Sequence, residues 1–201
     1  TAHDLWKLID RLNAERPDLY GGGIWDHPQL GAYYNAPGGR RGTSFASRRR
    51  LVEHVARKVK SPSPTFNCVG PAGVGTGSLA GMRALHQLSS FAHVWPFDNP
   101  DTVSRPLHLV EIFPSYYFAL AGIKPVNGAH GERENINQAL ACFESDSVSR
   151  DFEANGPDHD EADALISAAA LRWFSAQSDF WSVPADARAE GWIFGVKSAT
   201  P

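Results

Sequence analysis

The sequence predicts an α/β fold, and three observations predict it. Short apolar runs at 65–69, 107–113 and 191–196 have the length and β-branched content of strands. Longer segments with helical apolar spacing lie between them, and strands alternating with helices favour helices layered on a sheet. The chain has 201 residues, 42% of them hydrophobic and 20% charged, which is enough for one domain with a substantial core.

The elements follow in chain order. Apolar residues at 5, 8, 9 and 12 mark an amphipathic helix over 2–15. A glycine-, proline- and aromatic-rich loop, including Gly21, Gly22, Gly23 and Trp25, runs through Gly42. Helix resumes over 44–59, where Phe45, Leu51, Val52 and Val55 form the inner face and the arginines lie outward. The breaker cluster Ser61-Pro62-Ser63-Pro64 precedes the strand at 65–69. Gly70 to Gly77 then opens a helix over 78–91, capped by Ser78, with Leu79, Met82, Leu85 and Leu88 inward. After the strand at 107–113 come a helix at 116–121 that stops at Gly122, a helix at 132–143, an acidic loop at 144–159 and a helix at 160–176. A last strand at 191–196 completes the core, and no internal repeat is visible.

The glycine-rich segment looks like a phosphate cradle but fails the stricter tests. A P-loop needs Lys then Ser or Thr where Thr76 and Gly77 stand. Gly75-x-Gly77-x-x-Ala80 matches only a loose dinucleotide fingerprint, and the acidic partner such a site requires is missing near Asp98. A tight strand-to-helix connection accounts for these glycines, and Ser78 lacks the flanking glycines of a hydrolase elbow.

Two features carry chemistry. In His159-Asp160-Glu161-Ala162-Asp163, Asp160 and Asp163 are three residues apart on one helical face, at the edge of an apolar stripe of Leu165, Ile166, Ala169, Ala170 and Trp173. Paired carboxylates on a rigid helix suit a hard divalent cation. Plain capping by Asp158 and Glu161 at a helix start is the competing reading. The second feature is Glu111, inside the apolar run 107–113, where a buried carboxylate must be paired, protonated or metal-bound. A strand-end glutamate reaching solvent or an arginine is its alternative.

Val110-Glu111-Ile112-Phe113-Pro114, Asp160-x-x-Asp163-Ala164, Glu190-Gly191-Trp192-Ile193-Phe194-Gly195-Val196 and Thr76-Gly77-Ser78-Leu79-Ala80-Gly81-Met82-Arg83 occur here in that pattern. Together they resemble a family of uncharacterised proteins predicted to be ribonuclease-H-like nucleases. The resemblance covers about residues 65–196. The strand glutamate and paired aspartates also resemble acidic elements of RuvC-type Holliday-junction resolvases. The resemblance implies a ribonuclease-H-like mixed sheet flanked by helices. It also implies a metal-dependent phosphodiester hydrolase in which Glu111, Asp160 and Asp163 are catalytic and hold one or two Mg²⁺ or Mn²⁺ ions. Asp163 is the first candidate among them, because Ala162 and Ile166 hold it against the core while Asp160 and His159 are nearer solvent. A bound water of lowered pKa would then attack phosphorus. His159 stands near enough in sequence to assist proton transfer or to be a plain surface histidine. The superfamily's first strand carries a further aspartate, whereas this chain opens on a helix and its only methionine is Met82. That strand is therefore expected upstream of Thr1. On this reading 1–201 is a single domain, with 1–60 a helical, basic segment of insertion character and 61–201 the core portion.

Charge points to the partner. Between Arg40 and Lys60, eight basic residues (Arg40, Arg41, Arg48, Arg49, Arg50, Arg57, Lys58, Lys60) face Glu53 alone, in a chain whose net charge is −3. Such asymmetry indicates a polyanion, and Arg40, Arg41, Arg48, Arg49 and Arg50 are the expected nucleic-acid contacts. The preceding Tyr33-Tyr34-Asn35-Ala36-Pro37-Gly38-Gly39 offers rings on which bases could stack. A non-catalytic nucleic-acid or protein binding module on the same fold is the competing function. A nucleotide-binding enzyme using the 70–78 loop is a third. No apolar run reaches membrane-spanning length and no signal peptide is recognisable. Cys68 and Cys142 have no metal-ligand spacing and read as buried free thiols, which suits a cytoplasmic protein.

Overall fold

The computed structural model describes residues 1–70, 73–99, 104–124, 131–154 and 160–198. It is mixed α/β, with six α-helices and two two-stranded sheets among the described residues. The chain divides into two compact units. One comprises Thr1–Leu51, Ser63–Leu109 and Asp186–Gly191; the other comprises Val52–Pro62, Val110–Ala185 and Trp192–Pro201. No helix among the described residues is long and apolar enough to cross a membrane.

In the first unit, α1 (Ala2–Leu12) buries Trp6 and Ile9 and packs against α3 (Gly75–Leu88). α1 is shorter than its periodicity predicts because Asn13, 1% exposed, ends it: its Nδ2 donates to the Ile9 carbonyl (2.7 Å) and its Oδ1 accepts from Gly23 N–H (2.8 Å). Ile9, Ile24, Tyr34, Cys68 and Leu79 form the core, with Leu5, Trp25, Leu30, Phe66 and Met82 packed around it. The expected 65–69 strand is a turn with one bridge, Asn35 to Asn67. Residues 71 and 72 of the glycine-rich loop lie outside the described residues, and no strand among those described leads into it; α3 begins at Gly75, within the glycine run. A Cβ on Gly75 would lie 2.7 Å from Cys68 Sγ and 2.6 Å from the Thr65 carbonyl oxygen, so only glycine permits the approach. Ser78 is not the cap, because α3 starts three residues before it and its N-cap is Val74.

The two-residue strands β1 (Asn35–Ala36) and β2 (Arg40–Arg41) form an antiparallel hairpin, and β3 (Ala92–Val94) pairs in parallel with β4 (Leu107–Leu109). β4 is not the buried strand expected: Leu107 is 49% exposed and His108 is exposed too. The helix expected at 44–59 is only α2 (Leu51–Ala56).

In the second unit, α4 (Pro114–Leu120), α5 (Arg133–Cys142) and α6 (Asp160–Ser175) pack on one another. α4 starts with Pro114, whose fixed φ suits a first turn, and ends before Gly122, which has φ +79°. The core is aromatic: the Phe174 ring lies 4.5 Å from Phe180, 5.7 Å from Phe143 and 5.9 Å from Tyr117. The segment expected as the last strand is a buried turn with a single parallel bridge, Ile193 to Glu111. Gly195 has φ +87°, and the Phe174 ring occupies the place of any Cβ there. Cys142 is exposed, contrary to the expected buried thiol, whereas Cys68 is buried.

Candidate functional site

The carboxylates belong to the second unit. Glu111 is fixed through its backbone, its carbonyl accepting Phe194 N–H at 2.9 Å, while the residue as a whole is exposed. The glutamate therefore avoids the burial cost that its apolar neighbours suggest. Its charge acts on the buried Tyr117 phenol, adding to the rise that burial imposes on that group. Asp160 and Glu161 are exposed on the first turn of α6, and Asp163 is half-buried beside fully buried Ala162 and Ile166. The helix thus presents Asp160 and Asp163 together. It does not gather them with Glu111: among the described residues no group of three or more His, Cys, Asp or Glu is placed to hold a metal ion. Glu111, Asp160 and Asp163 as arranged do not fit a shared Mg²⁺ or Mn²⁺ ion. His159 and Asp158 lie outside the described residues.

The arginines with a defined setting belong to the first unit. Arg40 lies over the Trp25 ring at 5.8 Å, Arg41 over Phe45 at 5.0 Å and Arg48 over Tyr33 at 5.6 Å. Each is within cation–π range. The hairpin creates these pairs. β1 is tied to the core by Asn35 N–H to the Phe66 carbonyl (3.1 Å) and Cys68 N–H to the Asn35 carbonyl (2.9 Å). Beyond β2 the pairing continues, Gly42 N–H donating to the Tyr34 carbonyl and Ser44 N–H to the Ala32 carbonyl, both at 2.9 Å. Residues 32–36 and 40–44 are thereby held side by side, with Gly38 and Gly39 at φ +77° and +75° making the turn.

These pairs do not hold every expected contact. Arg40 is shared with Asp26, at 2.6 Å. Arg50 Nη1 donates to the Glu190 carbonyl at 3.4 Å, and Arg49 and Arg50 are half-buried whereas Arg48 is exposed. Tyr34 is no stacking platform. It is 7% exposed, tilted on Phe66 at 5.3 Å, and burial pushes its phenol up to about 12. Tyr33, 40% exposed, is the ring left accessible. Glu53, the one acidic residue in the basic run, is 1% exposed.

Two features escaped sequence reasoning. His93 and His108 occupy facing positions of β3 and β4 with rings stacked at 5.1 Å, and His93 Nδ1 is buried without a hydrogen-bond partner. An open cleft of about 410 Å³, with mostly apolar walls, lies between the 16–22 loop and the first turns of α3. Neither has a recognisable motif, since each depends on distant segments meeting. Comparison with protein-family models, curated proteins and solved structures finds no match.

Proposed function

We propose that this protein binds nucleic acid through the arginine–aromatic pairs around the hairpin of its first unit. The observation that carries this reading is the set of three guanidinium–ring pairs, Arg40 with Trp25, Arg41 with Phe45 and Arg48 with Tyr33, on one hairpin and its flanks. Arginine neutralises phosphates, and aromatic rings or guanidinium planes accept bases.

A second reading, metal-dependent nucleic-acid hydrolysis of ribonuclease-H-like type, is favoured by Asp163. That carboxylate is half-buried at the edge of the core, with Asp160 exposed on the same turn. The resemblance of the segments around Glu111 and Asp160 to predicted ribonuclease-H-like nucleases supports it further. Binding ranks first because Glu111, Asp160 and Asp163 do not meet as a metal group.

One experiment separates the two. The full chain is titrated with labelled oligonucleotides over a range of salt and then incubated with them in Mn²⁺. Binding predicts affinity that falls steeply with salt and is unchanged in Asp163→Asn, without cleavage. Hydrolysis predicts Mn²⁺-dependent cleavage that disappears in Asp163→Asn. Affinity indifferent to salt, or absent, removes the binding reading.

A further inference from the structure

We infer that the arginine–aromatic pairs around this hairpin, Arg48 with Tyr33 first among them, select single-stranded over double-stranded nucleic acid. The inference rests on the nucleic-acid reading above and adds the substrate class. A base can stack on a ring only if its own face is free, and in a duplex both faces are already stacked on neighbouring pairs. Tyr33 is the accessible ring of the set, and Arg48 lies over it at 5.6 Å, so a phosphate and its base could be held at adjacent points. Arg41 over Phe45 repeats the arrangement on the other side of the hairpin. Arg41 and Arg48 form no ion pair among the described residues, whereas Arg40 is shared with Asp26.

The same region lacks what duplex readout needs. Reading a B-form major groove takes a helix or β-ribbon long enough to fill a channel about 12 Å wide. Here the regular ribbon is two residues per strand, about 7 Å of backbone, and the hydrogen bonds beyond it join the 3-10 turn Gly31–Tyr33 to the turn at 43–44 rather than lengthening it. The segment carrying Arg48 is not helical, and α2, which follows it, has six residues. A shallow surface of charges and rings matches a strand whose bases are splayed outward.

The test uses the full chain and fluorescence anisotropy with three probes: a labelled single strand of about 12 nucleotides, within the site sizes such surfaces occupy, its blunt duplex, and a polyglutamate peptide of equal charge. The single strand is expected to bind about tenfold more tightly than the duplex, the scale of one stacked base. Tyr33→Ala is expected to abolish that preference while leaving the salt slope unchanged. Arg48→Gln is expected to reduce the slope by about one phosphate contact. An unchanged far-ultraviolet circular dichroism melt shows that each variant folds. Equal or tighter duplex binding, or a preference that survives Tyr33→Ala, overturns the inference while nucleic-acid binding stands. Polyglutamate competing as well as the single strand, or no probe binding, overturns both.

Discussion

Arg83 shows how one residue can organise the first unit. It is 5% exposed, and three of its five N–H donors are used: Nε donates to the Asp10 carboxylate at 3.0 Å, and Nη1 to the carbonyls of Arg16 (3.1 Å) and Tyr20 (2.9 Å). A single side chain of α3 thus fixes α1 and the loop that follows it. That loop contains Asp18 and Leu19 at φ +53° and +55°, a left-handed conformation that non-glycine residues adopt at a cost, and the two carbonyls flanking them end on Arg83. Replacing Arg83 with methionine keeps the volume but leaves those carbonyls without their donor and the Asp10 carboxylate with only the longer bond from Gln87 Nε2 at 3.4 Å. The expected loss is about 3 kcal/mol in urea denaturation, the scale for breaking a buried pair. Arg83→Lys should recover only part of it, because an ammonium cannot reproduce the fork. A loss under about 0.5 kcal/mol in Arg83→Met, the range of ordinary surface changes, would show that the loop is held by something else.

At the scale of elements, the α5–α6 pair depends on a cap borrowed across the interface. α5 ends at Cys142, and Arg172 on α6 donates through Nη2 to the carbonyls of Phe143 (2.7 Å) and Glu144 (2.6 Å) and to Ser145 Oγ (3.1 Å). Orphan carbonyls at a helix end are commonly met by a cation in this way. Arg172→Leu should fray the end of α5, read as faster amide exchange at Phe143–Ser145, and cost about 1.5–3 kcal/mol, as for hydrogen bonds to a charged group. Unchanged exchange there would mean that Phe143 packing alone holds the turn. Helices of this kind were legible in the sequence. The 132–143 and 160–176 expectations meet Arg133–Cys142 and Asp160–Ser175 because their apolar spacing is sustained over several turns. Even so, the buried face of α6 is rotated toward Ala162 and Phe174, away from Leu165 and Trp173. The 44–59 helix was not legible: residues 42–44 are tied to Tyr34 and Ala32 and the chain stays non-helical to Arg50, so tertiary pairing overrides local pattern. Strands of two or three residues leave too short a pattern to read. At the candidate site, the arginine run was legible as charge. Its ring partners were not, since Arg40 meets Trp25 and Arg48 meets Tyr33 only after the hairpin closes.

On the scale of the whole molecule, both units bury phenols, and this sets their response to alkali. Tyr34 in the first unit is 7% exposed; Tyr116 and Tyr117 in the second are 6% and 0% exposed. Burial raises all three. Tyr34 rises to about 12, Tyr117 rises further under burial and the Glu111 charge, and the Cys68 thiol is raised in the same direction. An unfolded phenol releases its proton near pH ~10, whereas the folded one holds it to higher pH. The stability contributed by these phenols is therefore complete below pH ~10 and is lost as pH rises through the folded values, whereas that of the Cys68 thiol begins to fall from about pH 8.5. Each such phenol should steepen the loss by about 1.4 kcal/mol per pH unit within its window. Urea denaturation between about pH 9 and 12, followed by tyrosinate absorbance, is expected to show phenol ionisation coinciding with unfolding. In Tyr34→Phe the first unit should lose stability less steeply over the same range. If ionisation of Tyr34 precedes any loss of structure, or if Tyr34→Phe falls as steeply as the parent, then the ring reaches water in the folded state and Tyr33 is not the sole tyrosine available to a base on that hairpin.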